Sequence, residues 1–158
     1  AFGVCCEERC MKFRVQQMGI VWLAIGLCVV IVSCNASLKL SQCANVIKVI
    51  NQTVIDTKTI TESGTNGDIS RIEKLVGIFD KAATDLEQVK VSDDQLKTYQ
   101  SQFLTMYRGV TEINKQIVTS IKAKKSTQVY QGLNKYRNIV SPERDLATGL
   151  NQYCRPPQ

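Results

Sequence analysis

The residues in this sequence best suited to chemistry are its cysteines, seven in 158 residues. A thiolate can hold a metal, attack an electrophile or pair with a second thiol. Cys5, Cys6 and Cys10 crowd the opening "AFGVCCEERC", but the CC-x3-C spacing lacks the C-x2-C pairs of a structural zinc site. Cys43 and Cys154 stand outside any C-x-x-C, so a redox-active role is not indicated. The remaining chemistry is thin. Histidine is absent, which removes Ser–His and Cys–His nucleophile systems and the commonest metal ligand. The Glu-x-x-His pairs of di-iron bundles are therefore missing. Met106, a candidate haem ligand, falls on an apolar stripe where packing explains it. "SGTNGD" (63–68) lacks the lysine and the strand of a phosphate loop. Lys125-Ser126 is adjacency rather than a site. These residues predict a non-catalytic protein without cofactor or metal.

Cys34 has a context of its own. From Met11 the chain reads "MKFRVQQMGIVWLAIGLCVVIVSC": Lys12 and Arg14, then an uncharged apolar run from Met18 to Val32, then Ser33-Cys34. A basic start, a short apolar middle and a small residue at the cut describe a secretory signal. The run is short for a membrane span, which needs ~20 apolar residues to cross ~30 Å of hydrocarbon. "IVSC", Ile31-Val32-Ser33-Cys34, resembles the lipobox of bacterial lipoproteins, with an aliphatic residue three before the cysteine and a small one directly before it. The resemblance implies that Cys34 is acylated on its thiol and becomes the mature N-terminus after cleavage. It also implies that the protein sits in the bacterial cell envelope, anchored to a membrane on the extracytoplasmic (periplasmic) side. Acyl chains, at about 0.8 kcal/mol per buried CH₂, would replace a signal too short to anchor permanently. The alternatives are an uncleaved single-pass anchor and a plain secreted protein. Residues 1–10 then read as an upstream extension, 11–33 as signal peptide or membrane segment, and 34–158 as the exported domain. That domain is also similar to small helical lipoproteins of cyanobacteria, some of which associate with photosystem II, a likeness that rests on no residue motif.

The elements that must position these residues are helical. With 44% hydrophobic residues the chain can build a core. A first segment carries Leu40, Cys43/Ala44, Ile47, Ile50 and Val54 at three- and four-residue steps and stops at the turn residues Gly64, Asn66 and Gly67. A second opens at Asp68 or Ser70, with Ser70-x-x-Glu73 as a capping box, and runs through Ile69, Ile72, Leu75/Val76, Phe79, Ala82/Ala83 and Leu86. A third opens at Ser92-x-x-Gln95, with Asp93 and Asp94 in the first turn, where the helix dipole favours acids. Its seam is Leu96, Tyr99, Phe103, Met106, Val110, Ile113, Ile117 and Ile121, extending to Lys125. Ser126 caps a fourth with Val129/Tyr130, Leu133, Tyr136/Arg137 and Val140. Ser141-Pro142 interrupts it, and Ser141 caps a last short helix through Leu146, Leu150 and Tyr153.

The expected fold is all-α: an up-down-up-down four-helix bundle following the N-terminal apolar signal or anchor helix, its last leg broken at Ser141. In that topology the start of the first helix and the end of the fourth share one end. Once Cys34 is lipidated and residues 1–33 are removed, Cys43 and Cys154 remain as an even pair in an oxidising compartment, which reads as a disulfide. Lys122, Lys124 and Lys125, near Lys135 and Arg137, form a basic cluster that the topology places away from the acylated end. It suits a solvated helix end or an acidic protein partner. The formal charge of +6 does not signal nucleic acid without interleaved aromatics. The expected function is a membrane-anchored accessory, assembly or binding subunit in a membrane complex. The alternative is a carrier holding a small apolar ligand in the bundle core.

Overall fold

In the computed structural model the description covers residues 20–62 and 69–156, with side chains from Ser37 onward. The chain divides into two compact units, 1–35 and 36–158. Every element among the described residues is an α-helix: α1 (Ile20–Glu62), α2 (Ile69–Gln88), α3 (Asp94–Lys122), α4 (Ser126–Val140) and α5 (Glu143–Tyr153). No helix among the described residues is long and apolar enough to cross a membrane. The side chains of 11–33, where the sequence places a signal or anchor, lie outside the description, as do residues 1–10.

The second unit is built around α3. Its seam residues Leu96, Phe103, Met106, Val110, Ile113 and Ile117 are all buried, while Tyr99 and Ile121 are half-buried. Tyr107, Thr111, Asn114 and Val118, on the neighbouring face, are buried as well, because α3 packs against α2, α4 and α5 at once. Charge on this helix is confined to what remains, as at Arg108, Glu112 and Lys115, all exposed. Fully burying a Leu, Val or Phe contributes roughly 1.5–3 kcal/mol, so α3 supplies much of the cohesion. Phe79, Ala82, Ala83 and Leu86 of α2, Val46 and Ile50 of α1 and Leu150 of α5 complete the core.

Polar contacts set the direction of α2 against α3. The Gln100 amide donates to the carbonyls of Leu86 and Val89 (2.8 Å to the latter), closing the end of α2. Arg108 pairs with Glu87, and Lys122 donates to Glu73 at 2.7 Å. The two helices therefore run in opposite senses. The return of α4 along α3 depends on close approach. A Cβ built on Gly132 would lie 2.6 Å from Ile117 Cγ1, and one on Gly109 would lie 3.3 Å from Ile139 Cδ1.

Several local expectations are corrected. The N-cap of α3 is Asp93, whose Oδ1 accepts from the Leu96 amide at 2.8 Å, rather than Ser92. Ser70 lies in the first turn of α2, and the Glu73 carboxylate accepts from Lys122. Ser126 is the first residue of α4, which has no side-chain cap. The Ser141 hydroxyl donates to Asn138 O, and Pro142 occupies the N-cap of α5. On α1 the buried line is Cys43, Val46, Ile50 and Thr53, one step off the expected Ile47 and Val54; Val54 is 50% exposed. Thr53 is accepted because its hydroxyl bonds back to Val49 O at 2.9 Å, leaving its methyl to pack. Tyr130 (69%) and Leu133 (41%) are exposed, since α4 meets the unit through Gly132 and its last turns rather than along its whole apolar stripe.

The glycines give a direct check. Gly77 lies within α2 with open space where a Cβ would go, so Gly77→Ala should stabilise by about 0.5–1 kcal/mol. Gly132→Ala carries the same helix preference but must displace the stiff Ile117 side chain, and should destabilise by about 1–2 kcal/mol. Denaturant midpoints that move the same way for both substitutions would contradict the close packing of α4 on α3.

Candidate functional site

The two ends of the second unit differ in how well their polar groups are satisfied. At one end α1, the α2–α3 turn and the end of α5 are fastened together. Cys43 and Cys154 are bonded, with Cα atoms 5.7 Å apart across a sequence separation of 111, and both are buried. Beside them Gln42 Oε1 accepts from the Ser92 amide (2.9 Å) while its amide nitrogen donates to Ser92 Oγ (2.8 Å). The Tyr153 hydroxyl donates to the Asp93 carboxylate, 2.7 Å from each oxygen, and the Lys39 ammonium sits 3.6 Å from the centre of the Tyr153 ring. That distance suits a cation–π contact. This region reads as a structural clasp, since every polar atom in it that these bonds involve has a partner inside the fold.

Further along the helices the interior changes character. Tyr107, Thr111 and Asn114 follow one another at i, i+4 and i+7 on one face of α3 and are all at most 5% exposed. The Tyr107 hydroxyl, Thr111 Oγ1 and Asn114 Nδ2 make no hydrogen bond, and neither does Thr57 Oγ1 on α1. Thr53 lies beside the Tyr107 hydroxyl but spends its own proton on Val49 O, and no well-formed bond joins the two. A buried polar atom without a partner costs about 1–3 kcal/mol, so this stripe is a poor choice for stability alone.

Thr53 and Thr57 line a pocket of about 300 Å³ between α1 and the α4–α5 corner. Thr53 and Thr57 form one wall, Tyr136, Val140 and Glu143 the other, and Phe79 of α2 also lines it. Wider depressions of about 530 and 540 Å³ lie elsewhere on the surface, but they are lined mainly by exposed polar side chains such as Lys115, Gln131 and Lys81. The smaller pocket combines aromatic rings with a carboxylate, which makes it the better binding candidate. Glu143 is half-buried, and burial pushes its carboxyl above the ordinary value. No ion pair reaches it among the described residues. Burial, and then the charge of Glu143, push the Tyr107 and Tyr136 phenols up, so both stay protonated donors. Among the described residues no cluster of His, Cys, Asp and Glu could hold a metal.

The residues singled out from the sequence fall outside this pocket. The side chain of Cys34 lies outside the described residues. The three lysines do not form one uniform patch. Lys122 is tied to Glu73. Lys124 takes a left-handed backbone, φ 56°, at the turn closing α3, where its amide donates to Ile121 O and that of Lys125 donates to Ser120 O. That pair of bonds is a Schellman closure, so Lys124 and Lys125 have a backbone role beside any surface one. All three are exposed. They sit at the opposite end of α3 from the clasp, about 40 Å away at 1.5 Å per residue. Sequence reasoning missed Thr53, Thr57, Tyr107 and Glu143. The available signal was the run of uncharged polar residues at helical spacing, 107–111–114, on a helix whose other face holds its charges. Comparison with protein-family models, with curated proteins and with solved structures finds no match for this chain.

The clasp has a pH signature. The Tyr153 hydrogen bond, then that of the Leu96 amide, hold the Asp93 carboxyl below its ordinary 3.8. Burial, then the bond and charge of Asp93, raise the Tyr153 phenol to about 12. A lowered carboxyl stabilises the fold above its unfolded value, and that contribution is lost as pH falls below about 4. A raised phenol stabilises the fold below 10, and that contribution is lost as pH climbs from 10 to about 12. Thermal melts should therefore show Tyr153→Phe less stable than the parent at neutral pH, with the gap closing at both extremes. A gap constant from acid to alkali would remove the Asp93–Tyr153 bond from the account.

Proposed function

We propose that this chain is an extracytoplasmic, membrane-anchored helical protein that acts by binding, as an accessory or assembly subunit, rather than by catalysis. The observation that carries this reading is the buried Cys43–Cys154 bond. Structural disulfides belong to oxidising compartments, and the bonded pair follows a segment, Ile31 to Cys34, that resembles a lipobox. Export and acylation of Cys34 account for both features, with the protein on the periplasmic side of a bacterial membrane.

The reading arranges the second unit as an up-down-up-down bundle of four legs: α1, α2, α3, and α4 with α5 as one leg broken at Ser141-Pro142. Opposed contacts of α2 with α3, and of α4 with α3, support it. In this reading Lys124 and Lys125, with Lys122 held by Glu73, offer an acidic protein partner a surface remote from the clasp. A second reading, a carrier of a small ligand, is favoured by the pocket between α1 and the α4–α5 leg.

Expressed in bacteria, the chain should incorporate labelled palmitate and lose residues 1–33, and Cys34→Ala should abolish both. Unlabelled, unprocessed protein in the membrane fraction would replace the lipid anchor with an uncleaved single-pass one. Affinity isolation from native membranes identifies the partner complex.

A further inference from the structure

We propose that the pocket between α1 and the α4–α5 leg binds a small organic cation, a protonated amine on a short apolar body, with Glu143 as its counter-ion. The proposal rests on the carrier reading above and narrows it from an apolar ligand to a charged one.

The chemistry of the walls selects the class. Glu143 brings a carboxylate into a pocket that also holds Phe79 and Tyr136, and no ion pair engages it. Its place in the first turn of α5 explains why an acid is tolerated there. It does not explain why that acid lines a pocket instead of facing water, as its neighbour Asp145 does. An ammonium ion gains from a carboxylate and from aromatic rings at the same time. An anion would be repelled, and a neutral apolar body would desolvate Glu143 further without compensation. The hydroxyls point the same way. Thr57 lines the same pocket as Glu143 and its Oγ1 is buried and unpartnered, an acceptor that rotation about χ1 would present to an ammonium group. The Tyr107 hydroxyl, beside Thr53, is close enough to feel the charge of Glu143.

Lys58 is the competing cation. It lines the pocket, but its ammonium is exposed and pairs with Glu62 at 3.7 Å, one turn along α1, so it leaves Glu143 available. A volume of about 300 Å³ matches the low end of ligand pockets and fits one ring with a short arm.

The test follows the methyl resonances of Thr53 and Thr57 in the full chain in detergent micelles, titrated in turn with benzylamine, benzyl alcohol and benzoate. Benzylamine should shift them saturably. Benzyl alcohol should bind at least about tenfold more weakly, and benzoate should produce no shift. Glu143→Gln should erase the preference for the amine while leaving the Val46 methyls beside the clasp unmoved. Equal response to amine and alcohol would overturn the cation assignment and leave the carrier reading standing. No response to any of the three would overturn both. A preference that survives Glu143→Gln would also overturn it. If that variant does not fold, the comparison of ligands on the parent chain decides.

Discussion

The covalent bond between Cys43 and Cys154 is the constraint on which the described structure depends. It joins the first buried turn of α1 to the residue after α5, so everything between them is a closed loop. Closing about 110 residues removes unfolded-state entropy worth of order 4–5 kcal/mol, which is comparable to the whole stability of many small domains. The bond does not act alone. Gln42 and Asp93 lie immediately beside it and fix the α2–α3 turn and the end of α5 in the same place. Three segments distant in sequence thus meet at one end, and α3 carries that order away from it along an apolar seam.

Such an anchor permits a looser interior farther off. Beyond Thr53 and Tyr107 the core is no longer purely apolar, and several polar atoms are buried without partners. A sequence shaped only for stability would place Val or Leu at Thr57, Thr111 and Asn114. The presence of hydroxyls and an amide there, with Thr57 lining a pocket that holds a half-buried carboxylate, is a local conflict of the kind that marks functional regions. The clasp and the pocket are therefore complementary: the clasp supplies rigidity, and the pocket carries groups that a ligand can satisfy.

The helical pattern was legible because period and composition agree along most of the chain. The α3 seam from Leu96 to Ile117 and the break at Ser141-Pro142 were visible in the sequence, and Cys43 and Cys154 were visible as the pair to join; the turn expected at Gly64, Asn66 and Gly67 lies outside the described residues. Caps were read less well. Ser92, Ser126 and Ser141 each satisfied a local rule, yet the cap of α3 falls to Asp93, and α4 and α5 have no side-chain cap. The α1 face was misassigned by one step because Val46, Ile47, Val49 and Ile50 are apolar on nearly every side, and only packing chooses among them. Glu143 was invisible as a site residue because nothing in a single acid after a proline reveals that the fold will half-bury it in a pocket shared with α1.

Native-state hydrogen exchange on the full chain tests the central claim, that a rigid clasped end supports a looser half around the polar stripe. The account predicts that amides near Val46, Leu96 to Phe103 and Leu150 exchange only through global unfolding, while those from Thr57 to Glu62 and through α4 exchange through smaller openings. Uniform protection along α1 and α4, or slower exchange around Thr57 and Tyr130 than beside the Cys43–Cys154 bond, would contradict it.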